Sequence, residues 1–444
     1  MKLGIRVLFY LSFAFGFFQN TPSALALGIC WRTEYIPNDR LIENLKKKVD
    51  EKPNDADANY QLARAYIVAA YSNKIYRLYK VDGEHFSSCK TGSFQFDGKW
   101  RTWNHWSFYL GEFGKDSFPE TAKDRIFWNN ICYGSKCKLA LQHDKKALQK
   151  AALSNINQAI IYYQKAVKLK PLPLFKLGLG WALDVAGKTE QAKKVYRQVI
   201  RQAWPKERNK RWGTHGSVNY DSSLEDINYE MLRFATYEAS FYLSAILDPK
   251  RNAKELKDLK KKLIRIARNK DSHGGDLTPV IVPIDRKSLL SKLTNPNLFV
   301  SFNLDGMGKK KWQWINPKAG LLVYVGNNKN PNITSGHQLF GNVTFHNFWT
   351  NGYEALASLD DDGDGWLRAQ ELAGIAIWQD KNSDGKSNKN ELFSLKALGI
   401  KAIAVTHTGQ NKNGWQNPVG IEYQNGEIGP SYDWISHKHV PITN

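Results

Sequence analysis

Two twelve-residue segments stand out in the sequence, DDDGDGWLRAQE from Asp360 to Glu371 and DKNSDGKSNKNE from Asp380 to Glu391, and they begin 20 residues apart. Each has a side-chain oxygen donor at positions 1, 3 and 5, a glycine at position 6 and a glutamate at position 12. The glycines Gly365 and Gly385 suit a sharp turn, because glycine reaches backbone angles that residues with a Cβ adopt poorly. The pattern predicts two loops that each gather carboxylate and amide oxygens around one point.

Such a cluster of oxygens suits calcium, a hard ion that takes about six to eight oxygen ligands. The spacing matches the EF-hand calcium loop, in which position 7 contributes a backbone carbonyl and the glutamate binds through both oxygens. One match alone is compatible with an acidic turn, but two adjacent matches predict calcium binding. The predicted ligands are Asp360, Asp362, Asp364, Trp366 and Glu371 in the first loop and Asp380, Asn382, Asp384, Lys386 and Glu391 in the second.

The short spacing also predicts the structure around the loops. Only Leu372 to Gln379 separate them, so we expect one short helix to leave the first loop and enter the second, with flanking helices near Phe348–Leu359 and Asn390–Leu398. Eight helical residues rise about 12 Å, which would place two ions at opposite ends of one rod. The first loop holds five acidic residues against Arg368, and the second holds three against three lysines. The first site is therefore predicted to bind calcium more tightly.

The N-terminus has the features of a secretory signal. Lys2 and Arg6 precede an apolar run over residues 7–18, and Ala24-Leu25-Ala26 fits the small-residue cleavage rule. That run is too short to span a bilayer, and no later segment is long and apolar enough. Residues 1–26 are therefore predicted to be a signal peptide, and the protein is predicted to be secreted or periplasmic with no transmembrane segment.

If the protein is exported, its four cysteines are expected to form disulfides, because disulfides persist in oxidising compartments. A bridge between Cys132 and Cys137 would close a tight loop and leave Cys30 for Cys89, although four cysteines allow three pairings. A zinc site is the rival interpretation, but no Cys-x₂-Cys pair or nearby histidine supports it. The pairing stays open.

The formal net charge of +21 lies mostly outside the two acidic loops. Because an exported protein rarely meets nucleic acid, we expect no nucleic-acid partner. A basic surface of this kind suits an anionic envelope polymer, lipid headgroups or acidic partners. A solvated surface with no such partner is an equally good interpretation.

The first half of the chain has the periodicity of helices. Leu41–Val49 and Asn59–Tyr71 are predicted helices. Between residues 155 and 205, a small–aromatic–small pattern recurs at an offset of 33 residues, Ala159, Tyr163 and Ala166 returning as Ala192, Tyr196 and Val199. This resembles the tetratricopeptide repeat, a helix pair with a period near 34 residues in which small residues permit close approach and the aromatic fills the groove. The resemblance implies a scaffold for a protein partner, although two repeats can be purely structural.

Two further segments each leave two interpretations open. The insert at 72–138 is rich in aromatics, and its Trp100, Trp103 and Trp106 alternate with basic and polar residues. These rings suit either the stacking of sugars or bases or the core of a small disulfide-stapled lobe, which we favour. Lys254–Arg268 is a basic helix with leucines on one face, which suits either an anionic membrane or, as is more common, packing against the protein.

From Leu277 the pattern changes to short strands separated by turn residues. The predicted strands are 280–284, 298–302, 312–315, 321–325, 402–406, 420–423 and 432–435. The predicted fold class is therefore α+β, with tetratricopeptide-like helices before a β-rich domain that carries the two loops. The predicted divisions are a signal peptide at 1–26, N-terminal helices at 27–71, the Cys/Trp-rich insert at 72–138, further helices at 139–270 and the calcium-binding domain at 277–444.

The C-terminal part resembles the EF-hand segment of large secreted haemolysin-type proteins. The resemblance is carried by Phe302-Asn303-Leu304-Asp305-Gly306, Leu339-Phe340-Gly341, Asp360–Glu371, Ile377 to Glu391 and Gly399-Ile400. With the helices in front, the whole chain is similar to a group of exported bacterial calcium-binding proteins. The resemblance implies calcium binding at the matched loop positions and no known catalysis. Asn303 stands where that pattern usually has Asp, and the Gly-Asp-rich repeats of the toxins are absent, so no cytolytic role is implied.

No catalytic constellation stands out, and the protein is predicted not to be an enzyme. Gly187-Lys188-Thr189 lacks the upstream glycine of a phosphate-binding loop, and His437-Lys438-His439 is interpreted as a solvated tail. The leading hypothesis is a non-enzymatic calcium-binding protein whose ions stabilise the C-terminal domain. The alternative is a polysaccharide-binding protein or hydrolase that acts through the Trp-rich insert, with calcium purely structural. A cohesin-type docking segment is disfavoured by the 20-residue spacing and by glutamate at position 12.

Overall fold

The computed structural model describes residues 31–70, 72–74, 77–81, 93–96, 99–102, 145–208, 235–268, 277–305, 309–328 and 331–439. The predicted signal peptide, the four cysteines, Trp103 and Trp106 lie outside the described residues. Within them the fold is α+β, as predicted, with a helical region followed by a large antiparallel sheet. None of the helices in the described part combines the length and apolar character needed to cross a membrane.

The helical region consists of seven helices in the described ranges. They are α1 (Asn38–Glu51), α2 (Ala56–Ala70), α3 (Lys145–Leu169), α4 (Pro173–Val185), α5 (Thr189–Glu207), α6 (Ala235–Ile246) and α7 (Ala253–Arg268). The predicted helices at 41–49, 59–71 and 254–268 are confirmed as α1, α2 and α7. Five short strands accompany them, β1 (Trp31–Tyr35), β2 (Ser72–Lys74), β3 (Arg77–Val81), β4 (Ser93–Phe96) and β5 (Lys99–Thr102). β1 and β2 flank β3, and β4 pairs with β5 as a hairpin.

Helices α3, α4 and α5 pack through the small and aromatic residues that the sequence pattern singled out. Tyr163 and Tyr196 are fully buried. A Cβ on Gly178 would lie 2.7 Å from the Tyr163 ring, and one on Gly180 would lie 2.8 Å from the Tyr196 ring. The glycines of α4 therefore let a tyrosine from each neighbouring helix lie directly against its backbone. Membership of the tetratricopeptide family stays a prediction.

The basic helix α7 packs against the protein by its apolar face. Leu259, Leu263 and Ile266 are buried, and Arg197 of α5 makes hydrogen bonds of 2.7 and 2.9 Å to the Glu255 carboxylate. This arrangement supports the packed interpretation over the membrane one. Lys188 and Gly187 lie in the turn between α4 and α5, as expected for a helical turn.

The C-terminal sheet contains nine strands. They are β6 (Val280–Pro283), β9 (Ala319–Tyr324), β10 (Trp366–Arg368), β11 (Ile375–Trp378), β12 (Leu392–Ser394), β13 (Ile400–Ala404), β14 (Gly409–Asn411), β15 (Gly414–Tyr423) and β16 (Ile428–Trp434). The order is β10-β13-β15-β16-β6-β9-β11-β12, and β14 pairs with β15. A separate pair, β7 (Thr294–Phe302) and β8 (Lys310–Ile315), lies beside it with a short helix α8 (Leu290–Leu293), and α9 (Gly352–Ala357) precedes the first loop.

This sheet must curl. β10 is one end of the eight-strand path and β11 is next to the other end. In a flat sheet with strands about 4.8 Å apart, the two would be separated by about 29 Å. Yet only the segment from Arg368 to Ile375 joins them, and seven residues span at most about 25 Å even when fully extended. That segment includes a 3₁₀ turn at Ala369–Leu372, which shortens it further, so the two edges of the sheet bend toward each other.

Aromatic side chains fill the core between the sheet and the β7–β8 pair. Trp314, Trp378 and Phe302 are buried, and their ring centroids lie 5.2–5.8 Å apart. Aromatic pairs at this distance add to the stabilisation that comes from burial alone. The cluster lies directly under the second of the two loops.

Helix α2 joins the helical region to the C-terminal domain. It is buried along almost its whole length, including the polar residues Gln61 and Arg64. Arg64 Nε donates to the carbonyl of His346 at 3.1 Å, and its guanidinium lies 4.1 Å from the Phe348 ring centroid. Asn347 Nδ2 donates to the carbonyl of Gln61 at 3.0 Å. These buried residues make hydrogen bonds across the contact, so the helices and the domain pack as partners.

Candidate metal centre

The first loop, Asp360–Glu371, is held by hydrogen bonds from its own backbone to its acidic side chains. Both oxygens of Asp360 accept, from the N–H of Gly363 at 2.8 Å and of Gly365 at 3.0 Å. Glu371 accepts from the N–H of Asp361 at 2.6 Å and of Arg368 at 2.9 Å. The first and last predicted ligands therefore both face the interior of the loop.

The second loop, Asp380–Glu391, repeats this arrangement with different residues. Asp380 accepts from the N–H of Gly385 at 2.9 Å. Glu391 accepts from the N–H of Lys381 at 3.1 Å and of Asn388 at 3.1 Å. The loop lies between β11 and β12, which pair as a hairpin.

Five hydrogen bonds occupy the same loop positions in both loops. The side chain at position 1 accepts from the backbone N–H of position 6, the side chain at position 3 accepts from that of position 5, and the side chain at position 5 accepts from that of position 7. The glutamate at position 12 accepts from the backbone N–H groups of positions 2 and 9. The backbone agrees as well, since positions 4 and 6 have positive φ in both, at Gly363, Gly365, Ser383 and Gly385. Ser383 adopts this conformation without being glycine, which is uncommon. Two different sequences thus adopt one loop conformation.

The donor atoms of the first loop converge. Carboxylate oxygens of Asp360, Asp362 and Asp364 all lie within 4.8 Å of one another. Burial raises the pKa of Asp360, the N–H groups of Gly365 and Gly363 oppose that shift, and the neighbouring carboxylates of Glu371 and Asp364 raise it further. Several carboxylates held together in this way repel one another, and a bound cation relieves that repulsion.

The second loop places its first and last carboxylates in the protein interior. Asp380 is fully buried and Glu391 nearly so. Burial raises the pKa of Asp380, whereas hydrogen bonds from Gly385, Trp314 and Asp384 oppose the shift. The indole N–H of Trp314 donates to Asp380 Oδ2 at 2.7 Å. Hydrogen bonds from neighbouring groups commonly fix the orientation of metal ligands in this manner.

The prediction of one helix shared by the loops is wrong. Within Leu372–Gln379, the structure has the end of a 3₁₀ turn and then strand β11, all four residues of which are buried. The predicted helix at Asn390–Leu398 is also wrong, since that segment contains β12 between two 3₁₀ turns. The helix before the first loop exists but is short, Gly352–Ala357 instead of 348–359. The loops therefore lie at two regions of a curled sheet and not at the ends of a helical rod.

Residues that sequence reasoning missed support the first loop from outside it. Arg40 Nε donates to Asp361 Oδ1 at 2.7 Å, Asn44 Nδ2 donates to the same oxygen at 2.8 Å, and Lys47 Nζ donates to the Asp361 carbonyl at 3.0 Å. All three lie on α1. In the sequence, the one sign of these contacts was Asp361 itself, an acidic residue at position 2, where the loop pattern needs no ligand. Trp314 beside the second loop had no such signal.

Two other predicted segments have different outcomes. The segment His437–His439 is not a solvated tail, because Gln313 N donates to the His437 carbonyl at 2.8 Å and His439 N donates to the Lys311 carbonyl at 2.8 Å. It pairs as an extended segment with β8. Of the Trp-rich insert, the described residues contain the β4–β5 hairpin that includes Trp100, which leaves its two interpretations open.

One comparison with known proteins covers this part of the chain. The SPM domain family matches residues 289–429, which include both loops. The iron-regulated protein FrpA of Neisseria meningitidis serogroup C is 40% identical over 105 residues, which are 22% of this chain and 9% of that protein. The chain thus spans less than a tenth of the relative's length. The similarity covers a module, and residues 289–429 are similar to an SPM domain.

Proposed function

We propose that this protein is an exported, non-enzymatic calcium-binding protein in which two calcium ions stabilise the C-terminal domain. The observation that carries the proposal is the set of five hydrogen bonds that both loops share. Oxygen-bearing side chains that are held in one orientation in two loops of different sequence suit a hard cation with oxygen ligands. Asp360, Asp362, Asp364, Glu371 and the Trp366 carbonyl would hold one ion, and Asp380, Asn382, Asp384, Glu391 and the Lys386 carbonyl the other.

The positions of the two loops support a stabilising role for the ions. The first loop contains β10 in its second half, and Val405 N donates to the Gly365 carbonyl at 3.0 Å. The second loop closes the β11–β12 hairpin within the aromatic core. An ion in either loop would fix a strand at an edge region of the sheet. Without an ion, several buried carboxylates must be accommodated, which is unfavourable.

Export and the role of the helices belong to the same proposal. The signal-like N-terminus and the resemblance to secreted haemolysin-type proteins support a secreted or periplasmic location. The stacked helices α3 to α5 support a scaffold for a protein partner. The basic surface of the chain supports contact with an anionic envelope polymer.

Calcium titration by calorimetry, combined with thermal unfolding in calcium and in chelator, tests the proposal. We expect two binding events and a higher melting temperature in calcium. A ligand at 100 times its Kd stabilises a protein by about 2.7 kcal/mol per site. Asp362→Asn and Asp384→Asn serve as a matched pair of variants, because each is expected to weaken one event and leave the other. The absence of any binding heat at millimolar calcium would contradict the proposal.

A further inference from the structure

Arg40, Asn44 and Lys47 form a polar face on α1 that contacts the first loop and the residues before it, and Lys47 also lies 3.5 Å from the Glu43 carboxylate of the same helix. Their spacing of four and three residues places them on the same side of a helix. Besides the three contacts with Asp361, Asn44 Nδ2 donates to the Ser358 carbonyl at 3.1 Å. Arg40 also donates to the carbonyl of Leu359 and, at 3.3 Å, to that of Glu371. Its side chain is only 17% exposed.

The contacts of Arg40 join the beginning of the loop to its end. Leu359 immediately precedes the first predicted ligand, and Glu371 is the last. One guanidinium therefore holds the two chain segments that must meet when the loop closes around an ion. Asp361 supplies a counter-charge for Arg40 without being a predicted ligand, so this negative charge is matched by α1 and not by the metal.

The second loop achieves the same closure with a cation of its own. Its position 2 is Lys381, and Lys381 Nζ donates to the carbonyl of Asn390, at position 11, at 2.8 Å. The same ammonium lies 4.9 Å from the Phe393 ring centroid. Each loop thus has a cation that links position 2 to the end of the loop. The link reaches position 12 in the first loop and position 11 in the second. In the second loop this cation belongs to the loop, whereas in the first it comes from a helix more than 300 residues earlier in the chain.

Resting on the proposed calcium binding, we propose that Arg40 is a positioning residue of the first calcium site, and that docking of α1 and calcium binding by the first loop strengthen each other. Two effects of Arg40 oppose each other. Its positive charge repels the ion, but Asp361 neutralises that charge and solvent screens what remains. Its three contacts hold the loop ends together before the ion arrives, which removes part of the entropy cost of closing the loop. The closure effect dominates.

Reciprocity follows from thermodynamic linkage. If α1 docking raises the affinity of the first loop for calcium by some factor, calcium raises the affinity of α1 for the loop by the same factor. Couplings between two sites are commonly about 5- to 150-fold. The calcium in the first loop would then help to hold the helical region against the C-terminal domain, whereas none of the hydrogen bonds among the described residues joins the second loop to that region.

The test is a calcium titration of the full chain and of Arg40→Ala, with the second loop as internal reference. Asp362→Asn and Asp384→Asn assign the two binding events to their loops. Arg40→Ala is expected to weaken calcium binding by the first loop about tenfold and to leave the second unchanged. Asn44→Ala provides a second variant with the same expected direction. Lys46→Ala is the matched control, because Lys46 lies on α1 beside the Tyr66 ring and not at the loop.

Hydrogen exchange of the α1 amides measures the reciprocal effect. In the unmodified protein, calcium is expected to slow exchange across Asn38–Glu51, and Arg40→Ala is expected to reduce that slowing. Unchanged or tighter binding by the first loop in Arg40→Ala would overturn the coupling while leaving calcium binding intact. If the unmodified protein bound no calcium, the proposed function itself would fail, and the two failures are therefore distinguishable.

Discussion

The two loops share one conformation but are supported in different ways. The first has only its last predicted ligand, Glu371, buried, is crowded with acidic residues and is contacted by cations from α1. The second has a buried first ligand, and it is supported by the indole of Trp314 and by its own Lys381. The same loop pattern therefore lies in two different surroundings, one at a contact between regions and one beside the aromatic core. The comparison teaches that a loop motif specifies its own hydrogen bonds but not its surroundings.

The position 6 glycines give the largest expected difference between the loops. A Cβ on Gly385 would lie 2.5 Å from Val300 Cγ1 and 3.1 Å from the Ser301 carbonyl oxygen, whereas a Cβ on Gly365 would have nothing within 4 Å. Both residues have positive φ. Gly365→Ala should therefore lower the free energy of unfolding by about 1–2 kcal/mol through backbone strain alone. Gly385→Ala should lower it by about 2–4 kcal/mol, because steric overlap is added.

Urea unfolding in chelator measures this difference without the contribution of bound calcium. Equal losses for the two variants would show that the second loop can move away from Val300, and that its burial is not a rigid constraint.

The indole of Trp314 gives the next largest effect. Trp314→Phe removes the N–H that donates to Asp380, and loss of such a supporting hydrogen bond typically weakens metal binding at least tenfold. We expect about that loss in the calcium affinity of the second loop and none in the first, measured by calorimetry. Trp312→Phe is the matched control, because Trp312 is equally buried on β8 and makes no contact with Asp380 among the described hydrogen bonds. Equal losses of affinity in both variants would assign the effect to packing.

The parts of this structure that could be predicted from the sequence are those determined by local spacing. The hydrogen-bonded loop positions and the turn glycines follow from a twelve-residue pattern, and seven of the eleven described strands of the C-terminal domain follow from runs of β-branched and aromatic residues, whereas β10, β11, β12 and β14 were not predicted. The inward-facing orientation of Glu371 and Glu391 is local too, because each accepts hydrogen bonds from within its own loop.

The shared helix was predicted by analogy with the EF-hand, and the local sequence contradicts that analogy. Gly374 has φ +83° and a Cβ there would lie 2.9 Å from the Tyr324 ring, so this residue stops a helix. Ile375, Ile377 and Trp378 are residues that favour a strand. They lie in β11, which pairs with β9. The contact between Arg40 and Asp361 could not be predicted, because 321 residues separate the two partners and no local pattern links them.

The smallest expected effect concerns the ion pair beside the first loop. Lys48 Nζ donates to Glu354 Oε1 at 2.7 Å, and Glu354 Oε2 accepts from the N–H of Thr350 at 2.8 Å. Burial tends to raise the pKa of Glu354, but the Lys48 ammonium and these hydrogen bonds outweigh it, so the pKa lies below its usual value. A lowered pKa means that the carboxylate stabilises the folded state above the ordinary pKa of glutamate, and that this stabilisation is lost as the pH falls through the lowered value.

Glu354→Gln should therefore lower the free energy of unfolding by about 1 kcal/mol or less at pH 7, and the difference from the unmodified protein should shrink below about pH 4.5. Urea unfolding in saturating calcium between pH 7 and pH 4 measures this difference, and subtracting the two proteins cancels the titration of the loop carboxylates. Glu427→Gln, which removes a more exposed ion pair with Arg286, is the control and should show a smaller difference. A Glu354→Gln difference that grew as the pH fell would mean that the carboxylate is destabilising in the folded state, and that its ion pair with Lys48 does not offset the cost of burying it.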